Sequence, residues 1–208
     1  MVKYLTLLFI LISFSLFSQS VDTIINVGFY KSYFSNYYKE PLYVSYKIWK
    51  AGGSCNRSKF YFKNDVVGIK SPTLKDYSGS GYDQGHLANA ADWAFDCEKD
   101  EKTFRFYNAL PQTPNLNRGI WKRWETDLRK RSQTDSLLVI CGGVFTENDK
   151  KIGDGVWVPG YCWKIVIELK TNKILHVLLF ENDNDAKVEE ITLEKLEVIL
   201  KYKPKLTY

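Results

Sequence analysis

Hydrophobic and polar positions change rhythm several times along the chain. Across residues 41–50, Leu42, Val44 and Tyr46 alternate with Tyr43, Ser45 and Lys47, the period-two pattern of a half-buried strand. Residues 21–40, mixed and rich in aromatics, read as an extended lead-in or edge segment, and residues 51–54 (AGGS) as a turn. Residues 55–65 predict a short irregular segment and residues 66–76, with Pro72, a loop. Residues 87–93 carry helix formers, residues 98–105 a charged helix or loop surface, and residues 106–110 a short apolar strand. Pro111 and Pro114 then break regular structure.

From Asn117 the spacing turns helical. Ile120, Trp124 and Leu128 recur at i, i+4 and i+8 as one face, with Lys122, Arg123, Arg129, Lys130 and Arg131 on the others. Residues 137–145 (LLVICGGVF) are continuously apolar, as a buried central strand is. Residues 161–168 and 173–180 predict two further strands joined through Thr171 and Asn172, and residues 182–185 the end of the sheet. Thr192 is placed to cap a last helix, with Glu194 in its first turn and Lys201 near its end. The expected fold class is α+β, a central, mostly antiparallel sheet with flanking helices.

The amino terminus is different text. Lys3 precedes an apolar run from residue 5 to 17, followed by Ser18, Gln19 and Ser20, which has the form of a secretory signal peptide. The run is shorter than the ~20 residues a spanning helix needs. The expectation is a signal over residues 1–20 and one domain over 21–208, secreted or periplasmic, with no membrane contact after signal removal. Four cysteines, an even number in an exported chain, suggest two disulfides and allow three pairings. Cys141 and Cys162 lie in neighbouring apolar runs and could face each other across a sheet, which leaves Cys55 with Cys97; the sequence does not choose. No C-x-x-C spacing occurs, which argues against a zinc or redox site. A net charge of +5 permits a polyanionic partner without requiring one.

Candidate chemistry concentrates in residues 81–129. His86, one of two histidines, can accept a proton near neutral pH when it is neutral and its other nitrogen is fixed by a hydrogen bond. Asn117 offers a neutral oxygen to a hard cation, which keeps most of its charge for a phosphate. In regular helix Glu125 stands about 80° round from Asn117 and ~12 Å along, and Arg129 about 40° further round. Glu125 is then better suited to act through water than to share the ion. Each element also has a plainer reading: a structural histidine, amides that satisfy loops, a solvated basic helix face, an Arg57–Asp65 ion pair.

Taken together, Asp83-Gln84-Gly85-His86, then Asn108 and Gln112, then Asn115-Leu116-Asn117-x-Gly119-x-Trp121, then Glu125 and Arg129, resemble the DNA/RNA non-specific endonuclease family. These are the ββα-metal nucleases that include endonuclease G and secreted bacterial sugar-non-specific nucleases. The resemblance runs from about residue 40 to 200, with Arg57, Phe60 and Asp65 before the core and Gly142, Gly143, Val158, Pro159 and Lys164 after it. It implies a ββα-metal active-site motif and cleavage of DNA and RNA to 5′-phosphate and 3′-hydroxyl ends. His86 would be the general base and Asn117 the sole protein ligand of Mg²⁺ (with Mn²⁺ a possible substitute). Glu125 would act through water on the metal. Asn108 and Gln112 join the catalytic set as organisers of the site. Arg129, shared with the catalytic set, and Arg57, Asp83 and Gln84 would serve substrate binding. Gln84 departs from the pattern, which usually has arginine there. An amide brings no charge to a phosphate, so the alternative is a catalytically weak nucleic-acid-binding protein that retains the fold. Oligomeric state is not legible.

Overall fold

The computed structural model describes residues 20–208; the apolar run read as a secretory signal lies outside them. Eleven strands are described: β1 (Thr23–Asn26), β2 (Tyr30–Ser35), β3 (Glu40–Ile48), β4 (Asp83–His86), β5 (Ala109–Gln112) and β6 (Leu137–Val144), followed by β7 (Lys151–Ile152), β8 (Val156–Trp157), β9 (Tyr161–Glu168), β10 (Lys173–Glu181) and β11 (Val188–Glu190). The helices are α1 (Leu74–Tyr77), α2 (Cys97–Lys102), α3 (Lys122–Arg131) and α4 (Leu193–Leu200). Seven strands form one sheet in the order β1-β2-β3-β6-β9-β10-β11, every neighbouring pair antiparallel. β4 with β5 and β7 with β8 make two small antiparallel ribbons. The α+β expectation is met.

The sheet is covered on both faces, which corrects the reading of residues 41–50. β3 lies between β2 and β6 and is buried on both sides except at Lys47. Its Tyr43 stacks on Tyr33 and Tyr202, so the carboxyl-terminal segment closes that face. Tyr46 faces the opposite layer, where Asp92, Glu125 and Arg129 lie. Residues 182–185 do not end the sheet, because β11 adds one more strand on β10. Pro111 does not break β5. It pairs with Gln84 in a two-stranded ribbon, where a missing N–H can fall on an open edge. The last helix is capped as expected. Thr192 accepts from the Lys195 amide at 3.1 Å, and Lys201 takes the left-handed C-cap position at φ 59°.

The cysteines divide unequally. Cys55 and Cys97 are bonded, and Cys141 and Cys162 are free and buried. The second expected bridge fails on register. Cys141 stands opposite Lys164, and Cys162 opposite Gly143. The two thiols are therefore diagonal neighbours, roughly 7–8 Å apart between residues in such a ladder, too far for a disulfide. Burial pushes both up to about 12. Cys141 donates to the Leu87 carbonyl, and Cys162 accepts from Gln112.

Candidate active site

The β4–β5 ribbon leads into a helical segment that does not begin as regular helix. Residues Leu116–Trp121 form a wide π-type turn, with Gly119 out of helical geometry at φ −102°, ψ −112°, before α3 starts at Lys122. The kink shifts the buried stripe. Trp121, Glu125 and Leu128 face inward, whereas Ile120 and Trp124, expected there, are only partly buried. A carboxylate thus sits in the inward row of α3.

One cleft of about 300 Å³ gathers the chemistry. Its lining includes His86, Asn117 and Glu125, with Arg57, Arg118, Lys122 and Arg129 around them. His86 packs between Phe62 and Phe104, ring centroids 4.6 and 4.7 Å away. Burial, with Arg57 adding to it, pushes the imidazole down to about 3, so the ring is neutral at physiological pH. Among the described residues no protein group makes the expected tautomer-fixing bond to its Nε2, which is buried. The histidine is held instead by its aromatic neighbours and by its backbone, whose carbonyl accepts from the Trp121 indole at 3.3 Å.

Asn117 donates through Nδ2 to Asp83 at 3.0 Å, which leaves its carbonyl oxygen as the available donor atom. Asp83 is expected at the substrate, but the structure gives it another task. Arg118 grips it at 2.7 and 2.6 Å, and those contacts with Asn117 hold its carboxyl below the ordinary range against a desolvation penalty that acts the other way. A carboxylate would repel a phosphate; here it fixes the Asn117 amide. Among the described residues no three His, Cys, Asp or Glu side chains converge as a metal cage. A single amide oxygen suits a hydrated hard cation that keeps several waters, and does not suit zinc.

Glu125 is buried, and burial pushes it up to about 7. Lys164, Arg129 and the Asn89 side chain oppose the rise, and Asp92 adds to it. Arg129 donates to Asp92 at 2.8 Å and to Asn89 at 3.1 Å, so this cleft arginine is braced from behind. Arg57 is braced too, but by Asp100 at 2.8 Å and not by Asp65, which pairs with Arg105 and Tyr107. The Cys55–Cys97 bond ties the Arg57 loop to the helix that carries Asp100.

Asn108 and Gln112 do not reach the cleft. Asn108 is fully buried and pinned to the Ala88 amide and the Ala88 and Thr103 carbonyls. Gln112, also fully buried, donates to Cys162 and lies against Gly85, where an added Cβ would come within 2.1 Å of its Oε1. Neither can touch a substrate; they organise the ribbon. Gln84 is half-buried on the same side of β4 as His86 by strand alternation and is outside the cleft lining. Asn115 donates to the Asn184 carbonyl, away from the cleft. Sequence reasoning missed Asn89, Asp92, Arg118 and the inward side of Lys164. The only available signal was the polar spacing Asn89-x-x-Asp92 directly after the histidine.

The model of the DNA/RNA non-specific endonuclease family matches residues 12–205. The chain is 32% identical over 140 residues to a nuclease of Nostoc sp., covering 61% of this chain and 51% of that protein. It is 35% identical over 129 residues to mitochondrial endonuclease G of Bos taurus, covering 55% and 43%. The chain spans about half the length of the curated relatives it matches. In fold it is similar to a chain in the crystal structure of the EndoG/EndoGI complex, at TM-score 0.73 and 22% identity over 86% of this chain and 83% of that one. With the family match extending over nearly all of its length, this chain belongs to the DNA/RNA non-specific endonuclease family.

Proposed function

We propose that the chain hydrolyses phosphodiester bonds of DNA and RNA with little sequence preference, aided by a divalent cation, Mg²⁺ in the first instance. The observation that carries this reading is the convergence of a neutral, half-buried imidazole, the Asn117 amide oxygen and a buried carboxylate in one cleft rimmed by arginine and lysine. His86 takes the proton of the attacking water. Asn117 would hold the cation, and Glu125 would accept hydrogen bonds from water around it. When bound, the cation supplies positive charge against the crowded phosphate. Arg57 and Arg129 hold phosphate oxygens, and recognition of phosphates instead of base edges explains indifference to sequence. Export is part of the same proposal, supported by the amino-terminal run and the Cys55–Cys97 bond. A mature amino terminus near Ser18 or Ser20 in the culture fluid checks it.

The purified protein is expected to nick plasmid DNA and degrade RNA with Mg²⁺ or Mn²⁺, and to stop with a chelator or with His86→Ala. Full activity in His86→Ala removes His86 as the base. Gln84 motivates a second reading, a weak nuclease that mainly binds. Salt-sensitive DNA binding without product under any divalent ion selects that one.

A further inference from the structure

Beneath the cleft lies a buried lysine that no protein group among the described residues hydrogen-bonds. Lys164 sits mid-strand on β9, opposite Cys141 on β6 and Leu178 on β10. It is fully buried, and no protein group among the described residues hydrogen-bonds its Nζ. The ring of Trp121 covers the ammonium at 3.9 Å, and the same indole donates to the His86 carbonyl. An ammonium withdrawn from water is costly unless its charge is balanced, so something nearby must balance it.

Two carboxylates share this layer, Asp92 and Glu125. Asp92 has Arg129 as a direct partner. Glu125 stands one helical turn beyond Trp121, whose ring covers the Lys164 ammonium, in the same buried row of α3; Lys164, Arg129 and Asp92 act on it through space. The groups that face it from the sheet, Cys141 on β6 and Tyr46 on β3, are driven by burial toward their neutral forms. With both acids ionised, Asp92, Glu125, Arg129 and Lys164 sum to zero. Without Lys164 the set carries an uncompensated negative charge in a low-dielectric layer, where like charges interact strongly.

We propose that Lys164 is a positioning residue which acts from the sheet, without touching substrate, to keep Glu125 a carboxylate at the floor of the cleft. Its value to the reaction rests on the role given to Glu125 above. A neutral Glu125 would present a donor where an acceptor is needed. The cation–π contact with Trp121 holds the ammonium in place without an anion in direct contact, so its charge acts on the layer above. It also couples the charge to the strand end that carries His86.

The test uses the metal-free full chain with ¹³C-labelled glutamate, the Glu125 carboxyl being the resonance lost in Glu125→Gln. In Lys164→Met the Glu125 midpoint is expected to rise by about one unit or more, a tenfold change in its ionisation equilibrium, and Lys164→Arg is expected to return it. The acid limb of the pH profile of kcat/KM is expected to move with it. A folded Lys164→Met protein whose Glu125 midpoint does not move overturns the proposal. Should Lys164→Met fail to fold, the double variant Lys164→Met/Glu125→Gln, which removes one charge of each sign, is expected to recover the fold; a double variant no better than the single overturns the proposal equally. An inactive wild-type chain would refute the nuclease reading, whereas the titration needs no substrate and still decides the role of Lys164.

Discussion

The two faces of the seven-stranded sheet are built from the same strands and do opposite things. On the face closed by the carboxyl-terminal segment, Tyr43, Trp163 and Tyr202 pack ring to ring, and α4 adds the fully buried Leu196 and Leu200. On the face beneath α3 and the β4–β5 ribbon, the buried side chains include Asp92, Asn108, Gln112, Glu125 and Lys164. Adjacent residues on one strand separate the two: Trp163 and Ile165 point to the apolar layer, and Lys164 between them to the charged one. The difference teaches that stability and chemistry are divided by the pleat of the sheet. The apolar layer supplies the folding free energy that the polar layer consumes in desolvating charges.

The division can be broken in graded ways. His86→Ala should have the largest effect, a loss of about 10²–10⁴ in kcat, the usual share of a general base, with the melting temperature nearly kept. Leu196→Ala should do the reverse. It should cost about 2–5 kcal/mol of stability, read by denaturant unfolding, while kcat per folded molecule stays near wild type. A comparable fall in kcat for Leu196→Ala would show that the faces are not separable.

The pH dependence of the metal-free protein sharpens the same contrast. Glu125 is raised to about 7 in the fold from an ordinary 4.5. Its contribution to stability is complete below about 4.5 and is lost as the pH climbs through 7. His86, depressed to about 3 from 6.5, works in the other sense. Its contribution is complete above about 6.5 and is lost as the pH falls toward 3. Glu125→Gln should therefore flatten the loss between pH 4.5 and 8, a gain on the order of 3 kcal/mol at the alkaline end, and leave the acid-side loss in place. Unfolding curves across pH in chelator measure both. The smallest effect expected is for Gln84→Arg. It adds a charge near the cleft rim and should lower KM by no more than about fivefold, the scale of an exposed ion pair.

Much of this is legible in the sequence. The continuous apolar run of β6, the Thr171–Asn172 hairpin and the Thr192 cap are local patterns, and local patterns survive folding. The grouping of His86, Asn117 and Glu125 was readable through motif spacing. What was not readable depends on register or on a kink. Whether Cys141 meets Cys162 turns on a two-residue offset between β6 and β9. The inward turn of Glu125 depends on the wide turn at Gly119, which rotates everything after it. Lys164 reads as a polar residue in an apolar strand, a pattern that ordinarily means an outward-facing side chain. Only the second layer above the sheet makes it a buried cation. The partners of Arg57 and Asp65 were exchanged for the same reason: each acid is brought in from a different segment.

Gly85 has a consequence for how the chain avoids folding incorrectly. A four-residue strand paired with one neighbour carries little to hold its alignment, and a slip of one residue would turn His86 to the far side of the ribbon. The buried side chain of Gln112 occupies the space that any Cβ at position 85 would need. A slipped strand would bring Gln84 or His86 onto that amide, and neither fits. The glycine and glutamine thus act as a key and its ward, admitting the one alignment in which the imidazole faces the cleft and rejecting its neighbours before any chemistry is possible.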